Sequence, residues 1–137
     1  MLLILERIIR LIISGGKMYR NLYKNEQYWV KKILEVEFKG KQFLMEQISK
    51  AKVILEEGYS FISLKFKTEN TNRYPYPVRV PVEMRAFQKN SAPIVFLLHV
   101  VNGFIDELEL ITADSSKIDS ASITLDNVEY VVNEQVK

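Results

Sequence analysis

The dipeptide Asn102-Gly103 constrains this chain more than any other feature. It stands between two apolar-rich runs, IVFLLHVV and FIDELELIT. Asn-Gly is the preferred pair for a type I′ turn, whose two central residues take positive φ, so it predicts a two-residue β-hairpin. Counting outward from the turn predicts Val101 opposite Phe104, Val100 opposite Ile105 and His99 opposite Asp106. It also predicts Leu98 opposite Glu107 and Phe96 opposite Glu109. IVFLLHVV is apolar on both faces, which marks a central strand.

The rest of the chain divides by period. Asn25 reads as an N-cap, and Trp29, Val30, Ile33 and Leu34 recur at helical spacing, predicting a helix over roughly residues 25–36. Gly40 marks a turn, and Phe43, Leu44 and Ile48 carry a second helix to about Lys50. The period then falls to two. Residues 51–57 and 60–67 read as a β-hairpin about Gly58-Tyr59, and 68–77 as a loop in which Pro75 and Pro77 exclude ladder pairing. Residues 78–88 alternate as a strand with Pro81 at an edge or bulge. A last hairpin is expected about Asp126-Asn127, between 122–125 and 128–132. The fold class expected is α+β, an N-terminal αα-hairpin packed on a meandering antiparallel sheet of about five or six strands.

Composition excludes several function classes. The 137 residues carry a net charge of +2, no cysteine and one histidine. That charge predicts no nucleic-acid partner. The missing cysteines remove disulfides and thiolate sites, and a single histidine removes most zinc sets. No cofactor and no metal are expected. Residues 1–13, MLLILERIIRLII, are too short for a transmembrane helix and are interrupted by Glu6, Arg7 and Arg10, so no membrane partner is expected. Ser14-Gly15-Gly16-Lys17-Met18 reads as a translated ribosome-binding site. The expectation is that Met18 is the natural start, with 1–17 a non-native extension and 18–137 a single domain. Arg7, Arg10, Lys17 and Glu6 together account for the +2, so residues 18–137 have no net charge.

Three groups of residues are candidates for function. In the counted register, His99 and Asp106 form the one candidate catalytic pair. No nucleophile motif accompanies them, so a structural polar pair is the expected role. Glu107 and Glu109 are expected on the opposite face with Phe96 and Leu98, compensated by Arg79 and Arg85, forming an amphipathic sheet surface suited to a partner. The loop Arg73-Tyr74-Pro75-Tyr76-Pro77 offers Tyr74 and Tyr76 as aromatic anchors.

The stretch from Pro93 to Gly103, with Glu107-Leu108-Glu109-Leu110 after it, resembles a P-I-x-x-L-L-H-V-x-x-G-x-x-x-E-L-E segment. That segment belongs to a family of small uncharacterised bacterial proteins. Looser matches fall at Phe38, Gly40, Leu44, Gln47, Ala51, Val53 and at Pro81-Val82-Glu83. The family's Gly-rich turn after the E-L-E strand is Ala113-Asp114-Ser115-Ser116-Lys117 here. The resemblance implies no established reaction, and some relatives sit beside secreted toxins as immunity proteins. The expected function is a cytoplasmic, non-enzymatic protein-binding module, an immunity protein among its forms, acting on a protein partner or by self-association. The alternative is a small-molecule-binding protein or enzyme centred on His99 and Asp106.

Overall fold

The computed structural model describes residues 18–134. The expectation about residues 1–17 therefore falls outside the described part. Two helices come first, α1 (Lys24–Ile33) and α2 (Lys41–Ser49). Six strands follow: β1 (Lys52–Glu57), β2 (Phe61–Lys67), β3 (Val82–Phe87), β4 (Ile94–Val101), β5 (Phe104–Thr112) and β6 (Thr124–Val132), with a 3-10 turn at Ser120–Ser122. All pairings are antiparallel, and the order across the open sheet is β1-β2-β5-β4-β3-β6. The α+β class with N-terminal helices is as the sequence predicts.

Helix α1 begins one residue before the expected cap. Tyr23 is the N-cap, and its N–H donates to Glu26 Oε1 at 2.7 Å. Glu26 therefore satisfies a backbone donor that the first helical turn leaves open. The same carboxylate takes both guanidinium nitrogens of Arg20, at 2.7 and 2.8 Å. Arg20 is tied to β1 by paired backbone bonds to Val53. Trp29, Val30 and Ile33 are buried on α1, and Trp29 meets Phe96 of the sheet edge-on at 6.3 Å. Between the helices Gly40 holds φ +84°, and a Cβ there would lie 2.6 Å from the Tyr74 ring. Both the left-handed backbone and the tyrosine contact need glycine.

One face of the sheet carries the core. Val53, Ile62, Leu64, Met84, Ile94, Phe96, Leu98, Leu108 and Leu110 are buried on it beneath the helices. The 78–88 run shortens to Val82–Phe87, since residues 78–81 sit outside the ladder and Val100 N–H donates to Arg79 O at 2.8 Å. The expected final hairpin does not form. Residues 124–132 are one strand against β3, and Asp126-Asn127 lie in an irregularity between the Phe87–Thr124 and Arg85–Glu129 pairs. An irregular edge of this kind discourages edge-to-edge strand pairing.

Candidate functional site: the uncovered face of the sheet

The β4–β5 hairpin turns as predicted, with Asn102 at φ 53° and Gly103 at φ 84°. Val101 pairs Phe104 and Val100 pairs Ile105, again as counted. Then the register slips. His99 pairs Glu107, Leu98 pairs Leu108, Leu97 pairs Glu109 and Phe96 pairs Leu110. Asp106 is the extra residue of a β-bulge and is exposed. The expected His99–Asp106 pair is therefore not formed, and the alternative function centred on it loses its geometry.

The bulge follows from burial. Without it, Glu107 and Glu109 would sit beneath the helices, and Leu108 and Leu110 would face outward. Each leucine would forfeit about 1.5–3 kcal/mol of burial, and each buried carboxylate would cost more. The sequence carries a signal for this. Ile105, Leu108 and Leu110 must share a face, and the interval of three between the first two is impossible in an unbulged strand.

The slip reassigns the candidate surface. Phe96 and Leu98 are fully buried in the core, so they are not the partner surface expected of them. Glu107 and Glu109 instead join His99, Val95 and Leu97 on the uncovered face. His99 Nε2 lies 2.9 Å from Glu109 Oε1, and since a carboxylate only accepts, the imidazole donates. His99 Nδ1 is buried without a hydrogen-bond partner. Ser63, itself buried, donates its hydroxyl to Glu107 Oε2. Arg85 does not compensate Glu107 or Glu109. It is exposed and lies 3.8 Å from Glu129 on β6, and Arg79 turns its guanidinium to Val100 O. The cation level with Glu107 is Lys65 of β2.

The register aligns this face in rows across the strands. One row runs Glu56, Ser63, Glu109, Leu97, Glu83, Val131. The next runs Phe61, Ile111, Val95, Arg85, Glu129. Phe61 and Val131 are exposed, and Val95, Leu97 and Ile111 are half-buried. These apolar groups lie on the side of the sheet away from both helices.

The Arg73–Pro77 loop is not a free aromatic hook. Tyr74 is buried and donates its hydroxyl to Lys39 O at 3.0 Å. Burial, with a contribution from Tyr76, pushes the Tyr74 phenol above its ordinary pKa. Tyr76 is half-buried against Tyr74, edge to face at 5.4 Å.

Residue-by-residue reading missed Gln47 as a structural residue. It is fully buried; its amide nitrogen donates to Asn72 O and Gly103 O, both at 2.9 Å, and its oxygen accepts from Ile105 N–H at 2.8 Å. One side chain therefore pins the 68–81 connection and the β4–β5 turn to α2. Its signal is a polar residue on the apolar stripe of α2, between Leu44 and Ile48.

A second concave region lies between the helices, a groove of about 730 Å³ with Val30, Leu34, Met45 and Ile48 in its walls. Asn21 and Leu22 also line it. Among the described residues no three His, Cys, Asp or Glu side chains are grouped to hold a metal ion, and no helix is long and apolar enough to cross a membrane. Compared with family models, curated proteins and solved structures, the chain matches none.

Proposed function

We propose that this chain is a non-enzymatic protein-binding module whose contact surface is the uncovered face of the sheet. The observation that carries the reading is the row Phe61, Ile111, Val95 beside Leu97 and Val131, apolar side chains on the face that the helices do not cover. Around them stand Glu83, Glu107, Glu109, Lys65 and Arg85. An apolar centre with a charged surround is the usual composition of a protein interface. A purely antiparallel sheet is stable with one face in water, so folding does not require this apolar row. A cytoplasmic setting belongs to the same proposal, since a chain without cysteine gains no disulfide support in an oxidising compartment. An immunity role is its narrower form, suggested by the resemblance of residues 93–110, and would require a toxin as the captured partner.

The test is site-specific photo-cross-linking in cells that express the chain. A photoreactive residue at Leu97 is expected to give a discrete protein adduct, and one at Glu37, an exposed position between the helices, none. Absence of an adduct at Leu97, or equal adducts at both positions, refutes the assignment.

A further inference from the structure

We propose that Asn102 is a latent deamidation site that the folded hairpin holds closed, with Gln47 as its latch. The chain has one Asn-Gly pair, Asn102-Gly103. Deamidation of such a pair is intramolecular. The backbone nitrogen of Gly103 attacks Cγ of Asn102, the Cγ–NH2 bond breaks, and ammonia leaves with the proton that the nitrogen gives up. The resulting five-membered succinimide is opened by water at either carbonyl, which yields aspartate or isoaspartate. Water is the one co-reactant. Glycine favours the attack because no side chain shields its nitrogen. Asn102 is exposed, so water reaches its amide, and the Gly103 N–H has no acceptor among the described hydrogen bonds.

The fold both requires this pair and restrains it. Asn102 and Gly103 hold φ 53° and 84°, the two positive values of a type I′ turn. A Cβ on Gly103 would press on Arg73 Cγ and on the Tyr74 carbonyl, so contact as well as φ dictates glycine there. A type I′ turn sets ψ of its first central residue at about +30°. That places the Gly103 nitrogen nearly anti to the Asn102 Cβ about the Cα–C bond, whereas ring closure needs the same two atoms nearly eclipsed. The succinimide therefore cannot form in the closed turn, and Asn102 reacts only when the turn opens. Opening is opposed from two sides. Gly103 O accepts from Gln47 Nε2 at 2.9 Å and from the Tyr74 N–H at 2.7 Å, and Gln47 Oε1 accepts from the Ile105 N–H at 2.8 Å. Gln47 belongs to α2, so the docking of that helix governs a covalent change in the turn.

The two products act differently. Asp-Gly is itself a type I′ pair, so aspartate keeps the hairpin and adds one negative charge. Isoaspartate adds a carbon to the main chain inside a two-residue turn and releases the Val101–Phe104 and Val100–Ile105 pairs beside it. His99 and Glu107 form the next pair, so this product loosens one end of the uncovered face. The chemistry at Asn102 is independent of what that face binds.

The experiment incubates the full chain at mildly alkaline pH and follows the peptide that contains Asn102 by mass spectrometry, with fragmentation to separate aspartate from isoaspartate. The same chain denatured in urea is the open reference. Deamidation of Asn102 is expected to be about a hundredfold slower in the folded chain, because opening forfeits the hydrogen bonds that close the turn. That comparison needs no variant. Gln47→Leu, with its fold checked by circular dichroism, is expected to raise the folded rate by about tenfold or more and to leave the rate in urea unchanged. Equal rates in folded and denatured wild type overturn the proposal, since the turn then gives no protection. Absence of deamidation in urea overturns it as well, since the pair is then not labile. A folded Gln47→Leu chain that reacts at the wild-type rate overturns the assignment of the latch.

Discussion

Gln47 is a buried polar side chain on which the hairpin and the long connection both depend, and Gln47→Leu isolates its amide. The substitution keeps the volume roughly constant and removes three hydrogen bonds. Their loss is unequal. Gly103 O keeps a second donor, Tyr74 N–H at 2.7 Å, and Asn72 is exposed, so water replaces the amide there. Ile105 is buried and its N–H has no other acceptor among the described hydrogen bonds. One orphaned buried donor costs about 1–3 kcal/mol, and the leucine recovers part of that by apolar burial. The expected destabilisation is about 2 kcal/mol. Gln47→Ala adds a cavity and is expected to cost about 3–4 kcal/mol. Urea unfolding followed by circular dichroism measures both, with a lowered midpoint and an unchanged slope. Amide exchange supplies the local readout, since the Ile105 N–H is expected to lose protection before its neighbours on β5. A Gln47→Leu chain within about 0.5 kcal/mol of wild type, with Ile105 still protected, refutes the argument that this amide holds the hairpin.

Other outcomes follow from particular residues. Burial opposes the charge on Glu26, but hydrogen bonds from Arg20 and the Tyr23 N–H outweigh it and hold its pKa below the ordinary carboxylate value. A depressed folded pKa means this stabilisation is present above the unfolded pKa of about 4.3 and is lost as pH falls through the folded one. Acid titration of stability should therefore be shallower in Glu26→Gln, which at neutral pH is expected to cost about 2 kcal/mol because Glu26 is buried while Arg20 stays part-exposed; equal acid slopes count against the pairing. Deleting Asp106 joins Ile105 to Glu107 and leaves every pair of the β4–β5 ladder in place, with Leu108 and Leu110 still in the core, so the chain is expected to keep cooperative unfolding, and Asp106→Ala changes stability by less than about 0.5 kcal/mol. A deletion chain that loses cooperative unfolding contradicts the burial account. Gly40→Ala forces a side chain into a left-handed backbone and the Tyr74 ring, and thermal melting is expected to show a loss of about 2–3 kcal/mol.

Much of the fold was legible from local pattern. The Asn102-Gly103 turn, the two helices and five of the strands follow from steric preference and from periods of 3.6 and two, which neighbouring residues impose on one another. The helical period places α1 within a few residues, but Tyr23 rather than Asn25 is its cap, because Glu26 reaches back to the Tyr23 N–H while also holding Arg20 beside β1. The alternation over 78–88 predicts a longer strand than the one that forms, since Val78 and Val80 alternate like strand residues but have no ladder partner. Asp126-Asn127 resembled a turn, yet the ladder to β3 held that segment as one strand.

What local pattern could not reach was the face on which each side chain ends. A single bulge at Asp106 moves every residue beyond it on β5 to the other side of the sheet, because side chains alternate with a period of two. It separated His99 from Asp106 and gave it Glu109, sent Phe96 and Leu98 opposite leucines in the core, and brought Glu107 and Glu109 to the surface. The insertion of β5 between β2 and β4 was equally invisible, since strand order depends on which apolar faces bury together across tens of residues. The residues composing the candidate surface were thus readable as types along the chain, while their assembly beside Phe61, Ile111 and Val95 was decided only when the helices claimed the opposite face for the core.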